Sequence, residues 1–168
     1  MREYSSKRPH MRSFRLSGID HAPFEPLFAL TDAELAERGS LAVRQVADAD
    51  FGFPCRVSLE DATPGEELLL LPFEHLPVRS PYRASGPIYV RRQAKRKVLG
   101  VGEMPPYITR RLISVRAYDA DDMMTEAAVC DGPKVAEEIA RLFANERVAY
   151  IHLHNAKPGC FACRVDRA

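Results

Sequence analysis

The stretch Tyr150–Ala168, YIHLHNAKPGCFACRVDRA, decides how this chain reads. It divides into two extended runs, 148–154 (VAYIHLH) and 160–166 (CFACRVD), around Asn155, Ala156, Lys157, Pro158 and Gly159, a composition that predicts a hairpin connection. Strand side chains alternate between faces. Ala149, Ile151 and Leu153 therefore share one face of the first run, and Phe161, Cys163 and Val165 one face of the second. These six are apolar or small and are expected to face the core. The other face carries Tyr150, His152 and His154, then Cys160, Ala162, Arg164 and Asp166. A symmetric loop sets His154 opposite Cys160 and Tyr150 opposite Arg164.

Three chemistries fit that second face. It can be the solvated side of an antiparallel sheet, with no further role. It can be a thiol site, in which an imidazole beside Cys160 favours the nucleophilic form of the sulfur and Arg164 adds positive charge. It can also hold a metal, since His-x-His followed by Cys-x-x-Cys supplies nitrogen and sulfur donors of the kind zinc accepts. A regular strand points Cys160 and Cys163 to opposite faces. The metal reading is therefore better served by His152, His154 and Cys160 with an open position.

Upstream of the hairpin, Asp131, Gly132 and Pro133 open the clearest helix, with proline at its first position and Val135, Ala136, Ile139, Leu142 and Phe143 on one stripe. The run 112–118 alternates, with Ile113, Val115 and Ala117 in the core phase and Ser114, Arg116 and Tyr118 opposite. Residues 124–130 are expected to pair with it. Near the start, Ser13–Leu16 reads as a strand, and Thr31 with Glu34 is a capping-box pattern ahead of a short helix that stops at Gly39. Further strands are expected at 41–47, at 55–60 with Cys55, Val57 and Leu59 on its apolar face, at 66–73 as a central strand, and at 88–92. His75 reads as a strand-end residue and His21 as a loop residue. The segment 80–87 (SPYRASGP) reads as an irregular loop, a place where ligand-contacting groups such as Arg83 commonly sit.

The chain has 168 residues, 46% hydrophobic and 28% charged, which fits one soluble globular domain. A net charge of +1 gives no global drive towards nucleic acid, and the basic run 91–97 (RRQAKRK) lacks interleaved aromatics. No apolar run approaches the roughly 20 residues that span a bilayer. With no secretory leader in view, a cytoplasmic location and free thiols are the default expectations, and no membrane partner is expected. Residues 1–12 (MREYSSKRPHMR) read as a disordered extension ahead of a domain over 13–168. No phosphate-binding glycine loop or nucleophile elbow is present. Nothing in the sequence names a cofactor or an oligomeric state.

Several stretches, SFRLSGID, FPCRVSLEDA, GEELLLLPFEH, SPYRASGPIYVR, SVRAYDADDMM and RVAYIHLHNAKPGCFACRVDRA, together resemble the bacterial DUF1203 family, named for its unknown function. The likeness runs from Ser13 onward and carries over no established reaction. It includes Cys55, Arg56, Tyr82, Arg83, Arg116, Tyr118, Asp119, His152, His154, Asn155, Gly159 and Cys160. In the family's ending the position of Cys163 is commonly small or apolar, which the resemblance sets against a four-ligand zinc site.

The sequence thus predicts an α+β domain, a mostly antiparallel sheet of about six to eight strands with one main C-terminal helix and one short N-terminal helix. Its candidate site joins Cys160 as nucleophile, His154 as base and His152 as a second proton carrier. Arg56, Arg83, Arg116, Arg164, Tyr118 and Asn155 are the candidates to bind a small anionic ligand, since guanidinium grips carboxylate or phosphate. An enzyme or a binding protein would use such a site. The alternatives are a non-catalytic interaction domain for a protein or nucleic-acid partner, and a His/Cys metal-binding protein.

Overall fold

The computed structural model describes residues 13–168, and the expected disordered extension over 1–12 lies outside them. In chain order the strands are β1 (Phe14–Ser17), β2 (Val43–Val46), β3 (Pro54–Cys55), β4 (Glu60–Asp61), β5 (Glu67–Leu76), β6 (Ala84–Arg91), β7 (Leu112–Tyr118), β8 (Met124–Asp131), β9 (Tyr150–Asn155) and β10 (Phe161–Arg167). The helices are α1 (Glu25–Phe28), α2 (Asp32–Glu37), α3 (Pro106–Thr109) and α4 (Val135–Phe143), the last entered through a 3₁₀ turn at Gly132–Lys134. The strands form two five-stranded sheets, ordered β1-β10-β9-β7-β8 and β2-β5-β6-β3-β4. All pairings are antiparallel except β3 with β6. The α+β class holds. The single sheet of six to eight strands becomes ten described strands in two sheets, because strand phase does not say which strands share a sheet.

Local chemistry explains the helices. The Thr31 hydroxyl accepts from the Glu34 backbone N–H at 3.2 Å, and the Glu34 carboxylate accepts from the Thr31 N–H at 2.7 Å. Two donors that the first turn would leave unpaired are thereby satisfied. In α4 the buried stripe is Val135, Ile139, Leu142 and Phe143. It covers one face of the first sheet, where Ile113, Val115, Ala117, Ile151, Leu153, Cys163 and Val165 form the larger core. The second sheet has its own core, in which Phe24, Phe28 and Leu35 of the α1–α2 region pack on Cys55, Val57, Leu69 and Val90.

Two local expectations fail, for physical reasons. Residues 55–60 are not one strand: β3 ends at Cys55, and 56–59 turn with Leu59 at φ 53. The turn sends Leu59 to the first core while Cys55 and Val57 stay in the second, so the apolar alternation reflects two destinations and not one face. Likewise the last four residues of SPYRASGP already belong to β6. Pro87 fits because it faces Pro72 of β5, where neither residue has an N–H to leave unpaired.

The closing hairpin forms with a different register. Phe161 pairs with His154, Arg164 with His152 and Asp166 with Tyr150, with a bulge between Phe161 and Cys163. Cys160 therefore does not lie opposite His154. The extra residue places Ala162 and Cys163 both in the helix-side core and returns Phe161 to the histidine face. Ala149, expected in the core, is exposed just before β9.

Candidate functional site

The face carrying His152 and His154 is not solvated. The last residues of β5 lie over it, and β9 is buried along its whole length. The expected phase of its neighbour holds: Ser114 of β7 pairs with His154, Arg116 with His152 and Tyr118 with Tyr150. From the opposite sheet β5 brings His75, whose ring stacks on Phe161 at 5.1 Å and lies 6.1 Å from His152 and 5.1 Å from His154. Sequence reasoning placed His75 at a strand end but could not join it to the other two, since their contact spans two sheets.

The three imidazoles are held neutral. His154 Nδ1 lies 3.0 Å from the Gly159 carbonyl, which can only accept, so Nδ1 carries the proton and Nε2 is a bare, buried lone pair without a partner among the described residues. His75 Nδ1 and His152 Nδ1 are likewise buried without partners among the described residues. Burial is the leading cause that lowers all three from the usual histidine range, His152 to about 3 and His154 to about 4. His152 is lowered further by its two histidine neighbours and then by Arg164 and Arg116. Arg164 stacks over Tyr150 at 4.1 Å and bonds Asp166 at 2.8 Å. Tyr118 is buried against Tyr150, their rings 5.2 Å apart. A cavity of about 420 Å³ reaches this group past His75, His152, Phe161 and Arg164.

Cys160 belongs to a different cavity. Two donors converge on its sulfur: Arg56 Nη2 at 2.9 Å and Asn155 Nδ2 at 3.4 Å. No hydrogen bond joins it to a histidine among the described residues. Arg56 is 1% exposed and extends from the 56–59 turn into the seam, donating Nε to the Phe161 carbonyl at 2.7 Å and Nη1 to the Pro54 carbonyl at 2.5 Å. It forms no ion pair among the described residues. The turn that brings it here is pinned by Gly18, where an added Cβ would lie 1.9 Å from the Val57 carbonyl oxygen.

The cavity beside Cys160 holds about 520 Å³. Phe51, Leu70, Pro87, Tyr89 and Leu112 wall it, and Arg56, Arg110, Arg111, Asn155 and Lys157 supply its polar lining. Arg111 is neutralised by Asp61 in a buried pair. Arg110 sits over Phe51 at 4.8 Å, and both it and Lys157 are exposed without an acidic partner among the described residues.

A family model described as a protein of unknown function, DUF1203, matches residues 52–167. The chain belongs to the DUF1203 family. No curated protein and no solved structure matches it. In this DUF1203 protein most residues that line both cavities lie within the matched segment, while Phe51 of one and Ser17, Gly18, Ile19 and Asp20 of the other precede it.

Of the sequence-predicted residues, this family member gathers Cys160, Arg56 and Asn155 at one cavity and His152 and Arg164 at the other, with His154, Tyr118 and Arg116 beside His152. Arg83 stands apart, exposed and paired with Glu74 at 2.5 Å. The basic run is largely committed: Arg91 pairs with Glu66 and Glu60, Arg92 with Glu67, and Arg96 donates to the Gly18 carbonyl. His152, His154 and Cys160 do not converge as metal donors, and among the described residues no three His, Cys, Asp or Glu side chains do. No helix of the described residues is long and apolar enough to cross a membrane.

Proposed function

We propose that this DUF1203 protein binds a small anion in the cavity beside Cys160 and acts there as a small-molecule enzyme or binding protein, with Cys160 as its nucleophile. The supporting observation is the buried Arg56 guanidinium, which has no carboxylate partner among the described residues and aims at the sulfur. A buried charge without a counter-ion is costly. A negatively charged sulfur, or an anion beside it, relieves that cost, and charge-assisted donors hold such a sulfur more strongly than a neutral thiol. Arg110 and Lys157 at the mouth add attraction for an incoming anion. His154 takes no part as base in this reading, because its ring lies with His75, His152 and Phe161.

The test compares alkylation of Cys160 by iodoacetate and by iodoacetamide, each normalised to free N-acetylcysteine. Two charges about 7 Å apart at an effective dielectric near 20 attract by roughly 2 kcal/mol, which screening by salt at the exposed Arg110 and Lys157 reduces to about 1.4 kcal/mol. The normalised preference for iodoacetate should therefore reach about tenfold and fall in Arg110→Ala and Lys157→Ala. Equal normalised rates for the two reagents would refute anion recognition.

A further inference from the structure

The surroundings of Cys160 also restrict what it can attack. Both partners of its sulfur are donors that keep their protons, a guanidinium and an amide. Among the described residues the cavity lining contains no imidazole and no carboxylate. Tyr89 is committed, its hydroxyl donating to Gln45 at 3.0 Å. Lys157, the remaining proton source, is exposed on the loop between β9 and β10. Expelling an amine or alkoxide calls for a positioned acid, which this lining lacks. A thiolate needs none, and it leaves more readily the lower its pKa.

Resting on the anion-binding reading above, we infer that the substrate class is an anionic organic disulfide. The Cys160 thiolate attacks one sulfur of RS–SR, the Cys160–sulfur bond forms, the S–S bond breaks, and RS⁻ departs with the bonding electron pair. Cys160 is oxidised to a mixed disulfide while half of the substrate is reduced to thiolate. No other oxidant or acid is consumed.

Two further observations shape the ligand. Asn155 lines the cavity and is 5% exposed, and its buried Oδ1 has no partner among the described residues, which suits an N–H donor on the ligand such as a peptide amide. Cys163 cannot resolve the adduct, because it is fully buried in the helix-side core and burial pushes its thiol up. The mixed disulfide therefore persists until an external thiol arrives.

The experiment uses the full chain carrying Cys130→Ser, which removes the other partly exposed cysteine, and Cys160→Ser as control. Three probes are compared: dianionic dithiobis(nitrobenzoate) and neutral dithiodipyridine, each normalised to N-acetylcysteine, and the alkyl ester N-acetylglycine ethyl ester, whose ethoxide leaves only with an acid. The expected result is about a tenfold normalised preference for the dianionic disulfide over the neutral one, a mixed disulfide on Cys160 by mass spectrometry, and no acyl adduct from the ester. An acyl adduct on Cys160 that forms faster than disulfide exchange, or a preference for the neutral disulfide, would overturn the inference. If iodoacetate is preferred but the dianionic disulfide is not, the disulfide class alone falls. If neither anion is preferred, the anion site falls with it.

Discussion

Acid should weaken this fold earlier than it weakens most, through the histidines between the sheets. An unfolded histidine titrates near 6.5, whereas His152 and His154 titrate at about 3 and about 4 in the fold. The unfolded chain thus binds more protons between those values, and stability falls as pH drops from 6.5 towards 3 to 4. At pH 5 each imidazole costs about 2 kcal/mol, so the pair removes up to about 4 kcal/mol relative to neutral pH. That is a large part of the roughly 5–15 kcal/mol of a typical domain. His75 is lowered too and adds in the same direction. The depressed carboxylates Glu34 and Glu66 act below their ordinary value of 4.5, which leaves the interval from pH 7 to 5 to the imidazoles. Urea unfolding at pH 7 and pH 5, in wild type and in His152→Gln/His154→Gln, measures the effect. A wild-type loss below about 1 kcal/mol, or an equal loss in the variant, would refute the account.

Two other outcomes follow from neighbouring contacts. Asp61→Asn leaves the Arg111 guanidinium, its side chain 10% exposed, without a counter-ion; urea titration should show about 3–5 kcal/mol lost, and a loss under 1 kcal/mol would mean that the stacking on Phe51 and Tyr107 suffices. Gly18→Ala drives a methyl into the Val57 carbonyl and must displace the 56–59 turn. It should cost at least about 1–3 kcal/mol and also slow Cys160 alkylation, whereas unchanged alkylation would show that Arg56 keeps its place.

Much of the fold was legible because its signals are local. The Thr31–Glu34 capping box, the α4 stripe and the alternation of β7 and β9 depend on residues close in sequence, and these appear as read. The errors lie where one residue changes the phase. The 56–59 turn divides an alternating run between two cores, and the bulge after Phe161 separates Cys160 from His154. Arg56 could be named from its place in the chain, but its bond to Cys160 joins residues 104 positions apart across two sheets. His75 sits at a strand end as read, but nothing near it in sequence announces the two imidazoles it meets.

The single guanidinium of Arg56 grips both the Cys160 sulfur and the carbonyl of the next residue, Phe161, whose ring packs against all three histidines. An adduct that pushes Arg56 off the sulfur therefore also tugs the backbone that positions this ring. The imidazole resonances in a proton NMR spectrum become a built-in gauge of whether the thiol cavity is filled, readable without any knowledge of what fills it.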